Sequence, residues 1–263
     1  MILSDGSSIS WRFMKVWRRN LVVYRKIWKI NFLPPIFEPL LYLLAFGVGF
    51  GTLVGKIVYG DREISYVAFI APALLSVNMM YNAFFENTYA SFVRMYYQKT
   101  FDAIMATPLS VQEVIVGEIV WGATKSFIAT AIMLAVVSLF GLIHYPHGLL
   151  ILPLSFLAGM AFGAVGMFFT GIVPSIDMFN LPIFLFVTPM FLFSGTFFPL
   201  DDFPAWVQKI SLVFPLTHLV KVTRSLGLGM VGMDALYGIA YLVVFCLVFL
   251  PVALEAMRRR LVH

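Results

Sequence analysis

Charge is scarce in this chain, and cysteine is all but absent. Asp, Glu, Lys and Arg together make up 12% of the 263 residues, against 61% hydrophobic residues. A water-soluble domain has no interior large enough to hide that share of apolar surface, whereas a bilayer acts as its solvent. The single cysteine, Cys246, lies in an apolar run, so no intrachain disulfide is possible and the redox compartment stays open. The opening MILSDGSSIS lacks a basic start, an apolar core and a small-residue cleavage site, so it does not read as a secretory signal. Apolar and polar residues do not alternate along the apolar runs, which excludes the pattern of a membrane β-barrel. Catalytic groupings are missing too. No Ser/His/Asp pattern is readable. In FGTLVGKI (50–57), Phe50 stands where a phosphate-binding loop needs its first Gly and Ile57 where it needs Ser or Thr. His144 and His147 have no neighbouring Cys or carboxylate and make a poor metal site, so none is expected.

Long apolar runs and aromatic residues are what the sequence has in quantity, including 27 Phe. At roughly 20 residues per span, a chain of this length accommodates about six helices and leaves little for a soluble domain. The expected fold is a single all-α integral membrane domain over 1–263, with spans near 32–54, 65–92, 116–142, 148–172, 179–198 and 236–254. GVGFG (47–51), inside the first span, reads as small residues that let helices approach closely. Residues 11–30 are not a span. Trp11, Met14, Trp17, Leu21, Tyr24 and Trp28 recur at threes and fours, with Arg12, Lys15, Arg19 and Lys26 off that stripe. A basic helix with an aromatic face lies in the lipid interface. It serves either as a fixed anchor or as an elbow that moves with a partner.

Orientation follows from the basic residues of alternate loops. The N-terminal helix, the loop after the second span (Arg94, Lys99) and the tail (Arg258, Arg259, Arg260) share twelve Lys and Arg, against five on the other side. Both termini are therefore expected in the cytoplasm. The clustering of basic residues beside spans also argues against a nucleic-acid partner and for membrane lipids. On the opposite side, residues 199–230 form the one long stretch that does not cross. Pro204 and Pro215 suit the first turns of two short helices that dip into the membrane and return.

Ionisable residues inside spans are costly and need a reason. Glu38, Glu86 and Lys125 lie roughly 10–13 Å from the cytoplasmic ends of the first three spans at 1.5 Å per residue, and Glu118 is shallower on the face of Lys125. They form an ion-paired lock between helices, a polar lining where a substrate head group enters, or a proton relay. The shortage of ionisable groups in the later spans argues against the relay. In the outer segment, His218, Lys221 and Arg224 recur by threes on a face that Pro215 opens. Either they snorkel to outer head groups or they line a substrate exit.

Five stretches carry a family resemblance: EPLLYLLAFGVGFG (38–51), YVAFIAPALLS (66–76), the block FENTYASFVRMYYQKTFDAIMATPLSVQEVIVGEIVWGATKS (85–126), SGTFFPLDDFP (194–204) and PLTHLVKVTR (215–224). Across nearly its whole length the chain resembles the type-2 ATP-binding-cassette exporter permeases, most of all the lipo-oligosaccharide, nodulation-factor-type ones. The resemblance implies a bacterial inner-membrane permease that exports its substrate and is not itself an enzyme. It implies two permease copies and two separate cassette ATPase subunits, which use the ATP and Mg; this chain binds no cofactor. It also implies that 97–113 is the coupling region docking on the ATPase. Phe101, Ile104, Met105 and Leu109 would be its apolar anchors, Thr100 and Asp102 its polar rim, and Thr107–Pro108 its break before the third span. The substrate stays open between a lipid-linked oligosaccharide and an amphipathic drug or antibiotic. An autonomous ion-coupled carrier or a membrane scaffold is the other class of reading.

Overall fold

A computed structural model describes residues 10–50, 55–59 and 62–262. Among the described residues, five helices are long and apolar enough to cross a membrane: Tyr66–Tyr97 (α4), Val111–Leu139 (α6), His147–Ile172 (α7), Ile176–Phe193 (α8) and Met233–Leu261 (α11). Shorter helices are Phe13–Lys26 (α1), Trp28–Phe32 (α2), Pro34–Leu44 (α3), Thr100–Met105 (α5), Ala205–Ser211 (α9) and Pro215–Gly227 (α10). The first expected span corresponds to α3 and a widened helical run, Ala45–Phe50. Residues 51–54 fall outside the described residues, and with them half of the phosphate-loop look-alike and the end of GVGFG; the opening stretch up to residue 9 does as well.

The all-helical expectation needs one correction. A two-stranded antiparallel hairpin, Lys56–Tyr59 (β1) with Arg62–Ser65 (β2), precedes α4, pairing Ile57 with Ile64 and Tyr59 with Arg62. Four-residue strands are too short to stand out by periodicity beside long apolar runs. Ser65 ends the hairpin and caps α4, its hydroxyl accepting from the Ala68 amide at 3.3 Å.

Helix α4 is the hub. Of its most apolar window 78% is buried, against 17% for α11, so α4 is wrapped by protein while α11 faces outward. Leu236, Val244, Leu247 and Val248 on α11 and Phe184 and Leu185 on α8 are exposed, apolar surface that a bilayer solvates. One core joins α4, α6, α7 and α10 through Phe69, Phe84, Met133, Phe162 and Leu219. A second core, at the α5 end of the bundle, gathers Phe92, Phe101, Ile115, Phe179 and Met257.

Two local devices set the helix starts and crossings. Ser110 and Glu113 cap α6 reciprocally: the Glu113 amide donates to Ser110 Oγ (3.2 Å), and the Ser110 amide to Glu113 Oε2 (2.9 Å). This cap lies just after the Thr107–Pro108 break. At the α6–α7 crossing, a Cβ on Gly159 would stand 2.6 Å from Ala123 Cα, so only glycine lets the two backbones come this close.

Gly159→Val is expected to destabilise the bundle by about 1–3 kcal/mol, because a backbone would have to move to admit the side chain. Gly232→Ala, with nothing near its Cβ, should change stability by less than about 0.5 kcal/mol. Thermal unfolding in detergent checks both. Similar midpoints for the two variants would contradict the crossing.

Candidate functional site

The candidate site lies where α1, the end of α4 and the first half of α6 meet. Helix α4 does not stop near residue 92. It continues to Tyr97 through two widened turns, Glu86–Ala90 and Val93–Tyr97. Arg94, expected in a loop, is therefore inside the bundle and becomes the centre of the charge network. Its Nη1 donates to Glu86 Oε1 at 2.8 Å, and its Nε donates to Glu118 Oε2 at 2.8 Å, with Nη2 at 2.6 Å from the same oxygen.

Both carboxylates have further partners. Glu86 receives Lys125 Nζ at 2.8 Å and Trp121 Nε1 at 3.0 Å. Glu118, fully buried, receives Asn20 Nδ2 at 2.9 Å and Ser91 Oγ at 3.0 Å, with Arg19 4.0 Å away. Burial draws the Arg19 guanidinium below its usual pKa, against the opposing pull of Glu118. Two buried carboxylates thus face two buried or half-buried cations, with nearly every lone pair used. An ion pair in low dielectric survives on those terms.

Of the four residues expected in the network, the structure brings Glu86, Glu118 and Lys125 together and leaves Glu38 apart. Glu38 accepts from Asn78 Nδ2 at 3.3 Å, eight residues before Glu86 on α4 and so roughly 12 Å along the helix. Arg94, Asn20 and Arg19 were the missed members. Residues eight apart fall about 80° from each other on a regular helix, so counting at 3.6 per turn does not pair Glu86 with Arg94. The available signal was the basic residue in an otherwise helical continuation past residue 92.

Helix α1 turns one side toward α6. Its buried residues are Val16 and Asn20, while Trp11, Met14 and Trp28 are exposed. The side facing α6 is chosen by Asn20 reaching Glu118, by Trp17 Nε1 donating to Thr124 Oγ1 (2.9 Å), and by Gly117, where Val16 packs against the α6 backbone.

In the 97–113 region the side chains divide. Phe101 is fully buried in the second core, so it is not available as an anchor for a partner; its ring is committed to this chain. Ile104 and Met105 pack half-buried beside it, Thr100 and Leu109 are half-buried, and Asp102, Thr107 and Pro108 are exposed. Arg12 ties this surface to α1 by donating to the Pro108 carbonyl at 3.1 Å.

At the opposite end, the expected His218–Lys221–Arg224 face is split. Arg224 is buried and donates to the carbonyls of Phe69 (3.1 Å), Gly195 (2.9 Å) and Thr196 (3.4 Å), its guanidinium 3.7 Å from the Phe69 ring centre. Burial pushes its pKa down to about 10, which leaves it charged at neutral pH. This is neither a snorkelling nor a free side chain. His218 stacks on Tyr241 and donates from Nε2 to the Leu212 carbonyl at 2.8 Å; burial lowers its pKa, so the ring is neutral at pH 7. Lys221 stays half-buried, and Pro215 opens α10 from a buried position.

Apolar outer faces, glycine-mediated crossings and a buried charge cluster define a multi-helix membrane domain. A family model described as ABC-2 type transporter matches residues 12–228, and the chain belongs to that family. Nodulation protein J of Rhizobium leguminosarum bv. viciae is 34% identical over 258 residues, covering 98% of this chain and 97% of that protein. Nodulation protein J of Rhizobium meliloti (strain 1021) is 33% identical over 219 residues, covering 83% and 82%. Inner membrane transport permease YadH of Escherichia coli (strain K12) is 24% identical over 247 residues, covering 93% of each.

Arg94→Met leaves two buried carboxylates short of a cation and is expected to cost about 3–5 kcal/mol or to abolish folding. Lys125→Met leaves Glu86 still bonded to Arg94 and Trp121 and should cost clearly less. Folded yield and unfolding midpoints compare the two, and equal losses would refute the central place of Arg94.

Proposed function

We propose that this chain is the transmembrane subunit of an exporter that moves an amphipathic substrate, a lipid-linked oligosaccharide by our reading, out of the cytoplasm or inner leaflet. A separate cassette ATPase supplies the energy. The observation that carries the reading is the match to the ABC-2 type transporter family over 12–228, with Nodulation protein J relatives aligned along nearly the full chain. In this reading α3 is the remaining span, making six. Helix α1 lies at the inner interface, α9 and α10 re-enter from outside, and both termini are cytoplasmic. Two copies of the chain pair with two ATPase subunits, which bind the ATP and Mg.

The docking surface in this reading is the exposed part of the α5 region: Asp102, Ala106, Thr107 and Pro108, with half-buried Ile104 and Met105 at its edge. Phe101 contributes from behind. It couples α5 to Phe92 on α4 and Ile115 on α6, so a push on α5 reaches the two helices that hold the charge network. Its role is transmission.

Co-reconstitution in proteoliposomes tests the exporter reading. Transport should require both ATP and the cassette subunit; transport by this chain alone, driven by an ion gradient, would overturn it. Ala106→Asp and Thr107→Asp, on the exposed rim, should lower substrate-stimulated ATP hydrolysis about tenfold with unfolding midpoints unchanged, since a carboxylate would be buried at the interface. Phe101→Asp should instead lower the folded yield of this chain before any partner is added. Full coupling in both rim variants would remove α5 as the docking element.

A further inference from the structure

The bundle contains a cleft that the charge network does not fill. It measures about 400 Å³, and Glu38, Asn78, Tyr81, Asn82, Phe85 and Tyr89 line it, with Lys125 at one side. Asn78 is near the middle of α4, so the cleft lies deep in the apolar region. A second cleft of about 440 Å³ shares Glu86, Tyr89, Ala90 and Lys125 with it and reaches Gln98 at the end of α4. The two adjoin as one polar groove running from the α5 end of the bundle to mid-helix.

The deep part of the groove is short of donors. Asn78 is 2% exposed; its Nδ2 is used on Glu38, and its Oδ1 has no hydrogen-bond partner. A buried amide oxygen in that state is a poorly satisfied acceptor, and Asn78 is one of the residues lining the cleft. The Glu38 carboxylate has room for several bonds and accepts one, from Asn78. Asn82 spends an N–H on the Asn78 carbonyl at 3.0 Å, so its side-chain oxygen also remains as an acceptor. Beside these acceptors stands a stacked aromatic pair. The Tyr81 and Phe85 rings are parallel, 2° apart in plane with centres 5.3 Å apart.

Acceptors along one side and aromatic faces along the other match a compact group that carries several hydroxyl donors and an apolar C–H face. A phosphate fits badly. Among the described residues, the one cation lining the deep cleft, Lys125, is held by Glu86 at 2.8 Å, and the Glu38 carboxylate repels an anion. A quaternary ammonium would satisfy the charge of Glu38 but would leave Asn78 Oδ1 unpaired. We propose that the deep cleft of this groove binds the head group of the amphipathic substrate, that the head it takes is an uncharged sugar, and that it rejects phosphate-bearing heads. The proposal rests on the exporter reading and adds to it a site and a selectivity.

The test uses the full chain in lipid nanodiscs without any ATPase, titrated by saturation-transfer NMR with hexyl glucoside, hexyl phosphate and hexyltrimethylammonium. The shared tail isolates the head group. Saturable binding of hexyl glucoside alone is expected, weakened about tenfold by Asn78→Leu and by Glu38→Gln, with unfolding midpoints measured in parallel. If Asn78→Leu does not fold, Glu38→Gln and Tyr81→Ala, at half-buried positions, carry the comparison. Tighter binding of the phosphate or the ammonium, no distinction among the three probes, or unchanged glucoside affinity in the folded variants would overturn the site. Because no ATPase is present, these outcomes are separate from the exporter reading. ATP-dependent transport persisting in variants that bind glucoside normally would refute the site alone, and transport independent of ATP would refute the exporter reading alone.

Discussion

A charge held in a low-dielectric interior must be matched at hydrogen-bond distance, and Arg94 is where this protein meets that demand. Its guanidinium spans two carboxylates from different helices, Glu86 of α4 and Glu118 of α6, so the two helices are fixed in depth and rotation relative to each other. The remaining lone pairs of those carboxylates then recruit Lys125, Trp121, Ser91 and Asn20. Through Asn20, helix α1 is held to the bundle by a polar contact, alongside the Trp17 bond to Thr124. Distances this short require close backbones. Asn87, one residue after Glu86, is surrounded by Gly122, Gly163 and Gly166, where any side chain would collide with it or with the Phe84 carbonyl. Small residues and the ion pairs are two halves of one arrangement.

The opposite end of the bundle solves a similar problem with different chemistry. Arg224 meets carbonyl oxygens from the start of α4 and from the turn after α8, and rings from Phe69 and Tyr59, with no carboxylate in contact. It pins α10 against the hairpin side of the bundle. A positive φ of 72° at Gly195 forms the turn that presents one of those carbonyls, a conformation glycine adopts without steric cost. Away from these two arginine-centred locks lies the groove of Glu38, Asn78 and Asn82.

The α5 region shows how a short helix is held by its neighbours. Helix α5 has six residues, too few to be stable alone in water. It is stabilised by Phe101 entering the core beside Phe92 and Ile115, by the Arg12 bond to Pro108, and by the cap at Ser110 that starts α6 immediately afterwards. Lys99, in the left-handed region at φ 52°, makes the turn from α4 into α5. A contact on the outer face of α5 therefore acts on a rigid extension of α4 and α6.

Composition and long-range pattern determined that this chain is a helical membrane protein, because an apolar run of span length has few other stable solutions. The proline positions marked the starts of α9 and α10, and Thr107–Pro108 marked the break before α6, since these are constraints on single residues and their neighbours. The ionisable residues Glu86, Glu118 and Lys125 were legible as a set because charge inside a span is always exceptional. Who pairs with whom was not legible. That depends on two widened turns in α4, which move Arg94 out of the register that a 3.6-residue count assumes, and on α1 lying against α6, where Asn20 meets Glu118. The separation of Glu38, the inward turn of Phe101 and the capture of Arg224 by backbone carbonyls are also decided by helix-to-helix distances. Sequence periodicity describes one helix at a time, and only tertiary packing sets the depth at which two helices face each other.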